Sequence, residues 1–344
     1  MIQTDEFIER LFEYIQDCKE YDILPHVTDE FDDIIHHLLK RSDTALAICS
    51  CTLPIFYCEI IQKPLKLLGN GDLLFLVLVN PNTATFWNCR RRALLKGDMC
   101  PKRELHYTKL ILGTHPRSNE PLYHRLWIMK TFYSTDHDVI MNEFSFSDHL
   151  AHNYRAHYAV WQYRRFLIQL LESEHMMRDL SATETWLKCH PTDSSGWSYV
   201  DFLLQRLQKV NHLDRVKAQS LLHTYLGIVT ETLELYPERE CLWMFKRNIL
   251  VQLWRLDHSM VLRPPITDET DATNRILGCL IALFTSRRYN TRSFHSVTAF
   301  LNFCYSNGLC THPSDLQWQD VLRWRHLFFL LRQTVDTDIR SSSP

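Results

Sequence analysis

The sequence predicts an all-α protein, an α-solenoid of stacked antiparallel helix pairs wound as an α–α superhelix. Three observations lead there: a recurring period, a set of aligned columns, and a shortage of glycine. An anchor residue stands at Trp87, Leu122, Trp161, Trp197 and Trp243, at intervals of 35, 39, 36 and 46 residues. Three positions on comes a base, in Arg90, Arg125, Arg164 and Lys246, with Val200 breaking the column. Seven on comes an apolar side chain every time: Leu94, Met129, Ile168, Leu204 and Leu250. Six before stands Pro81, Pro116, Pro191 or Pro237, with Arg155 the exception. A period of this size marks a stacked-repeat protein. Only 8 of 344 residues are glycine, as expected where helices leave little for tight turns.

Positions 0, +3 and +7 share one face of a helix. The anchor and the +7 aliphatic form a buried stripe with the +3 base between them. That base can lay its methylenes along the anchor ring while its charged head reaches a partner. Internal bracing and a partner-facing row both fit the +3 column and the bases beside it at Arg91, Arg165 and Arg247. Proline at −6 ends one helix and starts a turn. Thr83, Ser118 and Asp193 at −4 are candidate N-caps for the anchor helix. One pair alone cannot bury its stripe, so the pairs must stack.

In chain order, residues 1–70 read as an N-terminal helical cap. Helices are expected at 4–18 and 28–40, opened by Thr4 and Thr28. Residues 44–58 carry no charge, but they are too short for a membrane span and contain Pro54, so a buried helix pair is expected. Leu73 to Val79 is an apolar run in a core helix capped by Asp72 and stopped by Pro81. Residues 71–255 hold the five repeats, whose first helices are expected at about 101–114, 135–150, 176–189 and 213–235. Arg263-Pro264-Pro265 opens a polar linker. Residues 256–335 form a closing helical segment through Trp318, Trp324 and Phe328, and 336–344 is a polar tail expected to lack order.

Composition narrows the function classes. A formal net charge of −2 and a pI near 6.8 give no electrostatic case for nucleic acid. Eleven cysteines without a CxxC pair point to a reducing, cytoplasmic setting. The acidic start, Met1 to Glu6, is not of signal-peptide type. His149, His152 and His157 are close in sequence and His36-His37 is a doublet, yet none has ligands at metal-site spacing. Glu172, Glu174 and His175 read as a solvated helix end. No phosphate loop and no GxSxG occurs, so no catalytic residue is assigned and no metal is expected in the chain.

The columns resemble the repeat of protein prenyltransferase α subunits, of the form Pro-x-Asn-Tyr-x-x-Trp-x-x-Arg-Arg. Asn80 to Arg91, His115 to Arg125, Ala156 to Ile168, His190 to Trp197 and Tyr236 to Arg247 stand as its five copies, over about residues 70–255. Two stretches, Asn80 to Ser118 and Ser194 to Leu204, are similar to the branch read as the α subunit of geranylgeranyltransferase type III. One departure bears on chemistry. Farnesyltransferase-type α subunits carry a lysine five residues before the third tryptophan, and this chain has Ala156 there. Arg155, His157 and Tyr158 become the candidate substrate-rim residues.

The resemblance implies a non-catalytic α subunit in a heterodimer, wrapping a β subunit that holds the zinc and the lipid cavity. The implied β subunit is that of Rab geranylgeranyltransferase. The implied reaction is geranylgeranyl transfer from geranylgeranyl diphosphate to a C-terminal cysteine, one substrate class being a farnesylated SNARE. Arg90, Arg91, Arg125, Arg164, Arg165, Lys246 and Arg247 are the candidates for interface or bracing. The alternative from another class is a non-enzymatic, TPR-like scaffold for protein–protein interaction, against which the long and irregular period argues.

Overall fold

The computed structural model describes residues 4–24, 39–50, 53–210, 213–256, 276, 279–280 and 294–341. The chain divides into two compact units, Met1–Glu172 and Ser173–Pro344. Both are built from helix pairs, so the all-α, helical-repeat reading stands.

The first unit opens with α1 (Thr4–Ile15), whose Phe7, Ile8, Leu11 and Ile15 recur at helical spacing and are buried. A small sheet follows, of β1 (Glu20–Leu24), β2 (Leu39–Arg41) and β3 (Ala45–Cys49), in the order β1-β3-β2. Strand β3 pairs parallel with β1, Glu20 opposite Ala45, and antiparallel with β2, Leu39 opposite Ile48. The helical cap expected over 1–70 is therefore mixed. The uncharged run from Thr44 splits into strand β3 and helix α2 (Leu53–Gln62), instead of two helices. A short apolar run does not distinguish buried strand from buried helix by its period. Of the helix expected at 28–40, residues 25–38 lie outside the described residues and 39–40 belong to β2.

Helix α3 (Asn70–Val79) buries its apolar run from Leu73 to Leu78, with Val79 half-buried, and Asp72 accepts a hydrogen bond from the Gly69 N–H at 3.0 Å. From here helices alternate by the repeat. The anchor helices are α4 (Ala84–Lys96), α6 (Glu120–Phe132) and α8 (Tyr158–Ile168); their companions are α5 (Pro101–Thr114) and α7 (His137–Asn153). One core runs from Phe7 of α1 through the sheet and α3 to Trp87 and Ile111, so the N-terminal region and the first repeat fold on a shared core.

The second unit continues the alternation with α9 (Ser173–Cys189), α10 (Ser194–Lys209), α11 (Arg215–Leu235) and α12 (Glu240–Leu256). Gly196 lets α10 sit close on α9: a Cβ there would meet Trp186 and Leu187 at 2.9 Å. Of the three expected caps only Asp193 acts as one, accepting from the Ser195 and Gly196 N–H groups at 2.9 and 3.0 Å. Thr83 makes no side-chain cap bond, and α6 is headed by Asn119 instead of Ser118. The polar linker expected from Arg263 lies outside the described residues. Helix α13 (Val297–Ser306) packs on α14 (Trp318–Ser341), with Phe300 stacked on Phe328 at 4.5 Å between ring centroids. The tail expected to lack order from Asp336 is helical as far as Ser341.

Candidate functional site

Every anchor is buried: Trp87, Leu122, Trp161, Trp197 and Trp243. The proline column has a direct role in holding them. The indole N–H groups of Trp87, Trp197 and Trp243 donate to the carbonyls of Pro81, Pro191 and Pro237 at 2.7, 2.8 and 2.8 Å. Each ring thereby closes its own turn. Leu122 has no N–H to give, and in its repeat the Pro116 carbonyl is bonded by His157 Nε2 at 2.9 Å.

The +3 arginines are internal braces. Arg90, wholly buried, grips Glu104 with two hydrogen bonds of 2.6 Å, and His124 Nε2 donates to the same carboxylate at 3.0 Å. Arg125 grips Glu143 in the same manner, Nε to Oε2 at 2.9 Å and Nη2 to Oε1 at 2.5 Å, and Tyr163 Oη donates to Oε2 at 2.6 Å. Burial by itself would raise the Glu104 carboxyl. The Arg90 charge and the hydrogen bonds from His124 and Arg90 override it and hold the group down at about 2. A buried ion pair of this kind stands only because both carboxylate oxygens have donors. Arg164 is also buried; it reaches Asp148 at 3.0 Å and Ser147 Oγ at 3.2 Å, its guanidinium over the Phe144 ring at 4.1 Å.

A column that the sequence reading missed explains these partners. Glu104, Glu143 and Asp179 each precede the following anchor by eighteen residues, and each is bonded by the residue two past that anchor: His124, Tyr163 and Tyr199. The acid lies on the companion helix and the donor on the anchor helix after the turn, a constant spacing legible in the sequence. At the fifth anchor the same position is Tyr225, the +2 residue is Phe245, and the base is lost to Val200. Acid, donor and base disappear together, leaving three buried side chains, with Tyr225 edge-on to Phe245 at 6.3 Å.

The bases at +4 differ from a free partner-facing row. Arg91 is half-buried, donates to His124 Nδ1 at 3.3 Å and lies over Trp127 at 5.8 Å. Arg165 and Arg247 are likewise half-buried, as is Lys246 at +3.

The turn from Tyr154 to His157 carries the three rim candidates and does not treat them alike. Arg155 and Tyr158 are exposed, the latter at 58%. His157 is buried, bonded to Pro116 and shifted down by burial, so its ring is a neutral structural contact and not a rim group. Ala156 is exposed and adopts φ +56°, the single non-glycine residue with positive φ among those described. Arg117 Nη1 donates to the Arg155 carbonyl at 3.3 Å, so two contacts tie the turn before α8 to the turn before α6.

Among the described residues no three His, Cys, Asp or Glu side chains gather as a metal would need, and no helix is long and apolar enough to cross a membrane. None of the ten cysteines among them is in a disulfide.

Comparison with known proteins gives a consistent placement. The model of the protein prenyltransferase alpha subunit repeat matches residues 101–132 and 176–207; these are the α5–α6 and α9–α10 pairs. Protein prenyltransferase alpha subunit repeat-containing protein 1 of Danio rerio is 25% identical over 234 residues, 53% of this chain and 55% of that protein. Its Homo sapiens counterpart is 25% identical over 226 residues, 51% of this chain and 56% of that protein. Geranylgeranyl transferase type-2 subunit alpha of Mus musculus is 24% identical over 182 residues, 38% of this chain and 32% of that protein. The match thus spans little more than half the length of the first two relatives. Two helix pairs of this chain thus match the protein prenyltransferase alpha subunit repeat, and the chain is similar to proteins named for that repeat.

Proposed function

We propose that the chain is the non-catalytic α subunit of a heterodimeric protein prenyltransferase of the geranylgeranyltransferase type III kind. The observation that carries this is the repeat array itself, shared with a relative named as a geranylgeranyl transferase α subunit. In this reading the chain binds a β subunit, that of Rab geranylgeranyltransferase being the first candidate. Geranylgeranyl diphosphate and the zinc ion that activates the cysteine thiolate are assigned to that partner. The acceptor is a protein with a C-terminal cysteine, a farnesylated SNARE among the candidates, and the setting is cytoplasmic.

The absence of a lysine at Ala156 makes the contribution of this chain positional. Arg155 and Tyr158, exposed on a turn tied by two hydrogen bonds, are assigned to contact with the acceptor protein. An obligate interface of this type buries on the order of 2,000 Å² or more. The test is co-expression with candidate β subunits, followed by sedimentation and a prenylation assay. A one-to-one complex that transfers the lipid is expected, and Tyr158→Ala should change the ranking of acceptor proteins more than the rate on any one. A stable monomer that pairs with no β subunit would overturn the reading and favour the scaffold alternative.

A further inference from the structure

Where α4 turns into α5, the first unit gathers bases that its own fold leaves unpaired. Arg92 and Lys96 stand one turn apart on the exposed face of α4, opposite the buried Trp87, Arg90 and Leu94. Gly97 to Cys100 lead into α5, which opens with Lys102 and Arg103, both exposed. Among the described residues no carboxylate lies within ion-pair reach of these four cations. From Arg91 to Lys109 the sequence has two acids; Glu104 is spent on Arg90 in the core, which leaves Asp98. Lys102 and Arg103 are also badly placed for the helix, because its first turn is the positive end of the dipole and favours acids. A local rule broken with no gain to the fold marks a surface that serves something else.

Exposed leucines are interleaved with these bases. Leu95, beside Arg92 and Lys96 on α4, is 64% exposed; Leu65 and Leu67, on either side of the exposed Lys66, are 48% and 67% exposed. Their segment is held against the α4–α5 turn by Asn70, whose side chain donates to the Asp98 carbonyl at 3.2 Å and whose carbonyl accepts from Arg90 at 3.3 Å. Leu67 is three residues before Asn70, a reach of at most about 11 Å. Asp5 and Asp72, acids that α1 and α3 bring to the same corner, share Lys63 at 3.1 and 3.3 Å. We infer that this corner docks on the surface of an anionic lipid membrane. The bases meet acidic headgroups while the leucines enter the boundary between headgroups and acyl chains. Residues 61–70 and 91–105 contain no aromatic residue, so the surface lacks the stacking platforms of a single-strand nucleic-acid site. A net charge of −2 gives the chain no general attraction to acidic lipid, so the attachment is local to this corner. It does not depend on a β subunit being the partner of the chain.

The experiment floats the full chain with vesicles of phosphatidylcholine, either alone or mixed in equal parts with phosphatidylserine. Binding to the mixed vesicles and not to the neutral ones is expected, weakening as salt rises. The double variant Lys102→Glu, Arg103→Glu should weaken it at least tenfold. Its melting temperature should stay level or rise, because the new charges suit the helix dipole. The double variant Leu67→Ser, Leu95→Ser should weaken binding at least threefold, which a purely ionic attachment would not show. Lys217→Glu, at an exposed base of the second unit, should leave it unchanged. Equal flotation with neutral vesicles, no flotation of the parent chain, or equal loss with Lys217→Glu would overturn the inference. So would undiminished binding by either double variant. A soluble glutamate-rich peptide that binds the chain where the mixed vesicles do not would assign the surface to an acidic protein and overturn it too.

Discussion

Ala156 shows how much one residue can decide. Its φ of +56° puts an L side chain in the left-handed region, which costs about 1–2 kcal/mol relative to the right-handed helix. Ala156→Gly should remove that strain and, after the extra chain entropy of glycine, stabilise the first unit by about 0.5–1 kcal/mol. A scanning-calorimetry rise of about 2 °C is the expected reading; a fall would show that the turn relaxes without strain. Ala156→Lys leaves the strain in place, so a small change in turnover from it would speak to chemistry and not to folding. His326 makes a different prediction. It is buried against Trp243, and burial together with the charges of Lys246 and Arg247 holds its ring at about 3. The unfolded chain takes up a proton near 6.5, so stability from the neutral ring is full above that value. It is lost progressively as pH falls from about 6.5 towards 3. His326→Leu should flatten this part of the stability curve of the second unit, by a few kcal/mol at pH 4. Equal slopes for the two proteins in urea titrations at pH 7 and pH 4 would refute it.

Helix pairs are joined here by recurring polar triads, and one joint lacks its triad. Arg90, Glu104 and His124 form the first; Arg125, Glu143 and Tyr163 form the second. Val200, Tyr225 and Phe245 stand at the equivalent places in the second unit and are buried without an ion pair. The two solutions exclude mixtures, because a buried charge without its partner costs about 3–5 kcal/mol. Val200→Arg alone should therefore destabilise by at least about 3 kcal/mol. Adding Tyr225→Glu should recover part of that loss, giving a favourable coupling in a double-mutant cycle. Simple additivity of the two substitutions would show that the positions do not face each other as they do in the first two triads. Arg91, read from the sequence as interface or brace, now belongs with the braces through His124 and Trp127.

At the level of the whole chain, the boundary between the two compact units falls between Glu172 and Ser173, inside the stretch of residues 71–255 that holds the repeats. A repeat array is stabilised unit by unit through its neighbours, so such a boundary needs no change in the repeat pattern. The heterodimer predicted above belongs at this level. Its assembly should protect both units from heat in a manner that depends on β-subunit concentration, since binding to the folded state raises stability by mass action. A melting temperature indifferent to a stoichiometric excess of any β subunit would count against it.

Periodicity in the sequence by itself determined the helices, their pairing and the buried anchors, because a helix face repeats every 3.6 residues and an unpaired apolar stripe cannot stay in water. Pro81, Pro191 and Pro237 were legible as turns, though not as carbonyls awaiting an indole N–H. The Glu104, Glu143 and Asp179 column was legible too, at eighteen residues before each anchor, once its role was known. Tertiary structure alone decided three things. It made a strand of Ala45–Cys49, whose short apolar run has no period long enough to identify it. It turned the +3 arginines inward, because only the packed neighbour shows whether a carboxylate is within reach. And it removed His157 from the rim, because its partner, the Pro116 carbonyl, lies 41 residues away in the chain and is free only where Leu122 replaces a tryptophan.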